Sequence, residues 1–507
     1  MRFSTVLRTD NRVWRGSPSN SSRCYFFPIV ALVGVYYLFL LSNGTLQIFE
    51  PEMLDKVFDS MLMHMLHGEF TVDRDVMDFE ATIINGKTYT YFGVFPALLR
   101  LLAMPFTDIA QAHLARLSCL AAMVILVSLE LRVLLVVHDS LPAGRRRPEF
   151  LAVMVAATLL SGPQVFTLAA ARVYDEPILW SAVMAVAFNL IAVRAALLRG
   201  KLYTPELVWL AIVAGLALHT RVPIGVALYL GTILLTAWTL LSEQRRQSAA
   251  HGSVLLSKIS ASVRDARIWL PVGILGLMAL LQGVINFGRW GSPFTFSPDI
   301  QYYALAKMRD AGNFDALRNH GAFNFGRVWV GALYYATGLP WLLKGVPPFA
   351  EFLRAWYVRI EGPPSTPLLT NPLTVLLAAL GVYRLMRRAD LSTGSLAIAR
   401  LALAGHLAAV LLILTLCYLT LRYCVDLIGF VVLARVLGYR SVCLEAPEAS
   451  RKLLSIAGAG LCVIGILFSG YVLVLHKAWS MGVPMDVRLA LRPLLPSTYL
   501  PVPGPFR

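Results

Sequence analysis

The sequence predicts an all-α polytopic membrane protein with about 11 transmembrane helices, outer-face juxtamembrane helices and a small β-hairpin in the first long loop. Three observations predict it. Hydrophobic residues make up 57% of the 507 residues and charged residues 15%, and the mean hydropathy is +0.65, which is outside the range of a water-soluble domain. The apolar residues fall in long runs, several close to the about 20 residues that cross about 30 Å of hydrocarbon. The Lys and Arg residues that give a net charge of +16 sit in short clusters between those runs, the pattern of topogenic charge rather than of a nucleic-acid-binding patch.

Taken in order, residues 1–24 form a cytoplasmic tail holding Arg2, Arg8, Arg12, Arg15 and Arg23. The apolar run after it has no small-x-small cleavage site and reads as a retained signal-anchor. Spans are expected at 25–46, 110–137, 149–170, 177–198, 206–219, 222–241, 268–287, 371–387, 398–420, 424–438 and 453–475, within a transmembrane domain of 25–475. Those at 206–219, 371–387 and 424–438 are short. With the N-terminus inside, the cytoplasmic segments collect Arg145, Arg146 and Arg147; Arg199 and Lys201; Arg245, Arg246, Lys258, Arg264 and Arg267; Arg384, Arg387 and Arg388; and Arg440, Arg451 and Lys452. Short outer loops hold single arginines, which supports both orientation and parity. The run Val94–Phe106 is apolar but only about thirteen residues long, contains Arg100, and as a span would put Arg145–Arg147 outside, so it reads as a re-entrant or interfacial helix, with a short true span as the alternative. Residues 476–507 form an outer tail.

Two long segments lie outside, 47–109 and 286–371. The first carries nine acidic residues between Glu50 and Glu80 against Lys56 and Arg74 alone. Carboxylates gathered at one membrane face are costly unless they serve a solvated site. Apolar positions 53, 54, 57, 58, 61, 62, 65 and 66 predict an amphipathic helix over Met53–Leu66, with Pro51 in its first turn. Its methionines and leucines should face the membrane, with Glu52, Asp55 and Asp59 together on the wet side. The stretch FEATIINGKTYTYF predicts a hairpin turning at Asn85-Gly86. The second outer segment contains a semi-apolar helix near Trp329 to Leu343 and a later part punctuated by Pro347, Pro348, Pro363, Pro364 and Pro367.

The remaining boundary charges cluster on the same outer side. They are Arg100; Arg172, Asp175 and Glu176; His219 and Arg221; Arg289; and Arg422 with Asp426. An arginine at an interface can hold a phosphate through its fork of donors, and a nearby carboxylate can act as general base or metal ligand. A site with both suits a lipid that carries a phosphate leaving group, with a sugar attacked by an acceptor hydroxyl. The plainer readings are snorkelling arginines, a solvated acidic helix face and an Arg422–Asp426 ion pair. His64 and His67 lack the further ligands of a zinc site. Six scattered cysteines form no CxxC, and there is no Gly-rich phosphate loop, HExxH or GxSxG. No internal repeat is visible, which weighs against repeat-built transporters.

The ordered pieces FDSMLMHMLHGEF, INGKTYTYFGVFPALLRLLAMPF, VYDEPILW, NFGRWGSPFTF and LRYCVDL resemble polytopic glycosyltransferases of the GT-C superfamily, especially an uncharacterised bacterial branch. Gly93-Val94-Phe95-Pro96 stands where protein mannosyltransferases carry a lysine-proline step. The resemblance implies an outer-face active site around the first long loop, with an acidic residue as catalytic base. Glu50, Glu52, Asp55 and Asp59 compete for that role, with Asp59 favoured and Asp55 next. It also implies a bacterial inner-membrane enzyme that takes a polyprenyl-phosphate sugar donor and a glycan, lipid or protein acceptor. Its partners are membrane lipids and not nucleic acid. Arg100, Arg172, Arg221, Arg289 and Arg422 are the candidates for holding the donor phosphate. Asp175 and Glu176 are candidates for acceptor contact or for a divalent cation, the one cofactor the residues suggest. The alternatives are a transporter or flippase of a lipid-linked envelope precursor, for which Arg116, Glu130 and His406 inside predicted spans would matter, and a non-catalytic envelope-assembly protein.

Overall fold

The computed structural model describes residues 20–251, 266–308, 314–362, 365–387, 392–479 and 483–491. Most of the tail 1–24, Lys258, Arg264, Pro363, Pro364, Arg388 and most of the tail 476–507 lie outside them. The protein is an all-α polytopic membrane protein. Each expected span has a helix at its place: α1 (Asn20–Leu41), α4 (Ala115–Asp139), α5 (Pro148–Leu160), α6 (Asp175–Leu198), α7 (Thr204–Thr220), α8 (Val222–His251), α9 (Ala266–Trp290), α12 (Pro372–Arg387), α13 (Thr393–Thr415), α14 (Ile428–Glu445) and α15 (Arg451–Trp479). Between them lie the shorter α2 (Val57–Leu66), α3 (Phe95–Leu99), α10 (Val328–Thr337) and α11 (Phe349–Trp356). Seven segments are long and apolar enough to cross a membrane among the described residues. The helices that are too short by this measure include α7 and α12, two of the three spans the sequence marks as short.

Small residues let the helices approach closely. A Cβ on Gly381 of α12 would meet the carbonyl oxygen of Ala434 at 1.9 Å, and one on Gly438 of α14 would meet that of Leu377 at 1.9 Å. Gly405 of α13 faces the Gly231 backbone of α8 in the same way. Polar pins add specificity. His406 bonds Asn189 at 2.7 Å, whose amide donates to the Gly429 carbonyl at 2.7 Å. Glu130 and Arg435, both buried, pair between α4 and α14.

The helix-end arginines meet at one end of the bundle. Arg451 donates to the Gly144 carbonyl, Arg147 to that of Ala446 and Arg440 to the Ser140 hydroxyl. The acidic first segment lies at the opposite end, where α4 begins and Arg116 bonds Glu52 at 2.6 Å.

Three local expectations are corrected. The helix over 53–66 begins at Val57. Leu54 adopts φ +58°, a left-handed conformation no helix accommodates, and Asp55 folds back to accept the Glu52 N–H at 3.1 Å. The expected 149–170 span is broken: α5 stops at Leu160, Gly162 turns the chain at φ +113°, and 3-10 turns cover Pro163–Ala169. The freed Gly162 N–H is satisfied by Ser469 Oγ and the Thr370 carbonyl, both at 3.0 Å, as a break within a bundle requires. The expected Trp329–Leu343 helix divides at Gly338, which is left-handed at φ +72°.

The hairpin forms as read, β1 (Thr82–Ile84) against β2 (Lys87–Tyr89), with Asn85 and Gly86 both at positive φ. A second pair was not legible in sequence. In it β3 (Arg359–Ile360) lies parallel to β4 (Tyr418–Leu419), tying the segment 286–371 to the residues just before Arg422.

Candidate active site

The α2 helix does not lie apolar side down on a membrane. Val57, Phe58, Met61 and Leu62 are buried in a small protein core with Phe92, Val94, Ala97, Val173 and Ile285. Burying that face carries Asp59 inward as well, so Glu52, Asp55 and Asp59 do not share a wet face. Each meets a different partner: Glu52 meets Arg116, Asp55 meets His113 at 2.6 Å, and Asp59 meets Arg100.

Arg100 is the junction. It follows α3, which Pro96 starts. The run 94–106 does not span: helical turns end at Leu102, and Leu102 and Phe106 are exposed. Arg100 Nε donates to Asp59 Oδ1 at 2.8 Å and Nη2 to Glu176 Oε2 at 3.0 Å, with Nη1 on the other Glu176 oxygen. All three side chains are at most 2% exposed. One guanidinium thus serves two carboxylates in a desolvated place and cannot neutralise both. Burial, opposed by Arg100, pushes the Asp59 carboxyl up to about 6, while both Glu176 oxygens are held by the Arg100 fork. Asp59 Oδ2 is buried with no hydrogen-bond partner.

The turn that delivers Glu176 also builds a second, arginine-rich half. The broken span ends at Ala169, and Arg172 then bonds Asp175 at 2.8 Å. The Tyr174 ring lies 4.3 Å beneath the Arg422 guanidinium, and its hydroxyl bonds Glu80, which Tyr91 also reaches at 3.2 Å. Arg422 Nη2 lies 3.3 Å from Glu361, and Arg359 lies 3.7 Å from the same carboxylate. Burial works against the charge of Glu361, but Arg422 and Arg359 outweigh it and hold the carboxyl below its ordinary range. Arg221 and Asp426 form a bidentate pair at 2.6 Å, with Arg221 stacked over Tyr423 at 4.7 Å. The expected Arg422–Asp426 pair is therefore replaced by two exchanges of partner, one with Glu361 and one with Arg221.

Arg289 stands apart. It is buried at the end of α9 with Nη1 on the Phe92 carbonyl at 2.8 Å and Nη2 on Met61 Sδ at 3.5 Å, and its Nε is unpartnered. No carboxylate pairs with it among the described residues.

The sequence-derived residues therefore divide. Asp59, Arg100 and Glu176 form one cluster, and Arg172, Asp175 and Arg422 an adjoining one, the two halves joined through the 172–176 turn. Asp55 lies apart with His113. Sequence reasoning missed Glu361, Glu80, Tyr174 and Arg359. Only the length of the segment 286–371 pointed toward Glu361 and Arg359.

Among the described residues no three His, Cys, Asp or Glu side chains come together to hold a metal, and Asp59 and Glu176 are bridged by a guanidinium. His64 bonds Asp73 at 3.2 Å, while His67 turns to the Met63 carbonyl.

No protein-family model and no curated protein matches the chain. Solved structures of an archaeal oligosaccharyltransferase, AglB from Archaeoglobus fulgidus, are distantly similar. The complex with an inhibitory peptide and a dolichol-phosphate has a TM-score of 0.45 and 12% identity over 96% of this chain. The apo form has a TM-score of 0.43 and 12% identity over 96% of this chain. The complex with Zn and sulfate has a TM-score of 0.43 and 13% identity over 94% of this chain. This chain covers 62%, 62% and 59% of those chains, respectively. Likeness at this level assigns neither activity nor substrate to the chain.

Proposed function

We propose that the protein is a membrane glycosyltransferase of GT-C type, moving a sugar from a polyprenyl-phosphate-linked donor to a glycan, lipid or protein acceptor. In this reading it lies in a bacterial inner membrane with the N-terminus cytoplasmic, the tail 1–24 inside, the transmembrane domain over 25–475 and the tail 476–507 outside. The outer segments 47–109 and 286–371 then face the periplasm. The observation that carries the proposal is the unpartnered Asp59 Oδ2, held in a buried cluster where one guanidinium serves two carboxylates. Such a carboxylate, with its proton affinity raised to about 6, suits a general base at neutral pH.

In the proposed reaction Asp59 Oδ2 takes the proton of an acceptor hydroxyl. The acceptor oxygen bonds to the sugar's anomeric carbon, and the bond from that carbon to the phosphate oxygen breaks. Polyprenyl phosphate leaves with the electron pair. A single displacement inverts the anomeric centre. The arginine-rich half stabilises the phosphate charge as it develops. Arg172 and Arg422 stand nearest the turn that joins the two halves, Arg289 is a further cation beside Met61 of α2, and Arg221 holds Asp426. Arg100 orients Asp59 and Glu176 rather than binding phosphate. Asp55 is the second choice for base, because Oδ2 already serves both His113 and the Glu52 N–H. The Asp59 centre is closed to solvent, so the acceptor reaches it only as the outer segments part.

The intramembrane charges do not favour a transporter. Arg116, Glu130 and His406 are each partnered, by Glu52, Arg435 and Asn189. The test uses purified protein, radiolabelled polyprenyl-phosphate sugars and a membrane extract as acceptor. Asp59→Asn should lower transfer by about 100-fold or more while the protein stays folded, and Asp55→Asn should retain most of it. Full transfer by Asp59→Asn removes Asp59 as the base. Absence of transfer by wild type with every donor leaves the transporter and assembly readings.

A further inference from the structure

The ion pairs of the site are not equally tight. Arg100–Asp59, Arg172–Asp175, Arg221–Asp426 and Arg116–Glu52 close to 2.6–2.8 Å, and their carboxylates are at most 2% exposed. Glu361 differs on both counts. Its contacts with Arg422 and Arg359 are 3.3 Å and 3.7 Å, and its side chain is 17% exposed. A third donor converges on it, the Leu421 N–H, at 3.3 Å from Oε2. The backbone of Glu361 is meanwhile anchored, its N–H on the Leu419 carbonyl at 2.8 Å and its carbonyl accepting the Tyr334 hydroxyl at 2.7 Å. The carboxylate can therefore swing away while the strand that carries it, and the β4 strand leading to Arg422, stay in place.

We propose that Leu421 N–H, Arg422 and Arg359 form the seat of the donor's phosphate, and that Glu361 is a built-in competitor for it, displaced when lipid phosphate binds and returning to help expel the polyprenyl phosphate product. This rests on the donor-phosphate reading above. The physical reason is exchange of like for like. A phosphate oxyanion takes the same three donors as the carboxylate, and a guanidinium receives phosphate as a fork. Displacement is feasible for Glu361 because it gives up long, partly solvated contacts. A buried carboxylate such as Asp426 would instead leave an uncompensated charge behind. The seat adjoins the Asp59 centre through Tyr174, on whose ring Arg422 rests and which is two residues from Glu176. The leaving phosphate and the base thus occupy opposite halves of one site.

Binding of farnesyl phosphate to the full-length protein in detergent, measured by titration calorimetry, tests this, with inorganic phosphate as the arm that separates a lipid headgroup from a free anion. Glu361→Gln keeps the shape and removes the competing charge. It should tighten farnesyl phosphate binding by roughly twofold to fivefold, the scale of a partly exposed ion pair. Arg422→Gln should weaken it by a similar factor or more. In transfer assays Glu361→Gln should lower the KM for donor and also lower kcat, because product leaves more slowly, a split that a merely structural loss does not produce. Glu361→Ala opens the same donors and repeats the measurement if the glutamine variant is lost on purification. Glu361→Gln binding equal to or weaker than wild type, with Arg422→Gln still weakened, overturns the competitor role and leaves the donor reading standing. Wild-type binding that survives Arg422→Gln moves the phosphate elsewhere and overturns the seat. Inorganic phosphate bound as tightly as farnesyl phosphate overturns the assignment to a lipid. No farnesyl phosphate binding by any variant removes the donor reading itself.

Discussion

Asp59 and Arg100 show how one residue's chemistry is set by its neighbours. Asp59 is raised to about 6 chiefly by burial, with Glu176 adding repulsion and Arg100 opposing both. As the proposed base it acts in the carboxylate form, so the proposed transfer should rise with pH through about 6 and flatten above it. Glu176→Gln removes one source of repulsion, and the acidic limb of the pH–rate profile should then move to lower pH. A limb that stays in place would assign it to another group. Arg100→Gln is expected to be far harsher than Asp59→Asn, because it strands two buried carboxylates. A loss of about 3–5 kcal/mol, read as a collapse of thermal stability in detergent, should accompany it, whereas Asp59→Asn leaves Arg100 paired with Glu176.

At the scale of elements, the site is placed by irregular backbone between helices. Gly93 is an example. A Cβ there would lie 2.2 Å from the His219 carbonyl oxygen and 2.4 Å from that of Thr220, so the entrance to α3 rests directly on the end of α7. Gly93→Ala should therefore shift the turn that carries Arg100, at a cost of about 1–3 kcal/mol, and reduce transfer without touching a charged residue. Unchanged melting and unchanged transfer would show that α3 is not held through this contact. The broken span at Gly162 plays the same part for Arg172. Its exit is irregular, and the turn that follows places Asp175 and Glu176 in different halves of the site. The sequence carried the Ser161-Gly162-Pro163 signal, but the run 149–170 reads as one span because apolarity alone does not distinguish a helix from a helix that breaks within a bundle.

For the whole molecule, the arginine-rich helix ends and the acidic first segment lie at opposite ends of the bundle, which makes topology testable without activity. Single cysteines at Gly86 and at Arg145, both exposed, introduced into a chain whose native cysteines are replaced by alanine, should label from opposite sides of sealed vesicles with an impermeant maleimide. In right-side-out vesicles position 86 reacts and position 145 stays protected if the N-terminus is cytoplasmic. The reverse pattern would invert the orientation and place the Asp59 centre on the cytoplasmic side.

How much was legible in the chain follows from which interactions are local. Hydropathy, the length of the apolar runs, the alternation of Arg clusters and the Asn85-Gly86 turn are properties of neighbouring residues, and they determined the polytopic helical class, the helix order and the hairpin. The same local logic pointed to Asp59, Arg100, Glu176 and Arg422 as charges at one face. Partner choice is not local. Arg422 has Asp426 four residues away yet pairs with Glu361, because the β3–β4 contact brings residue 361 beside residue 421, while Arg221 arrives from the junction of α7 and α8 to claim Asp426. The amphipathic pattern over 53–66 likewise could not say whether its apolar face meets lipid or protein, and that difference is what buried Asp59. Tertiary structure alone decided which carboxylates are matched, which is left over and which is loosely held, because each depends on charges brought together across dozens to hundreds of residues in a desolvated place.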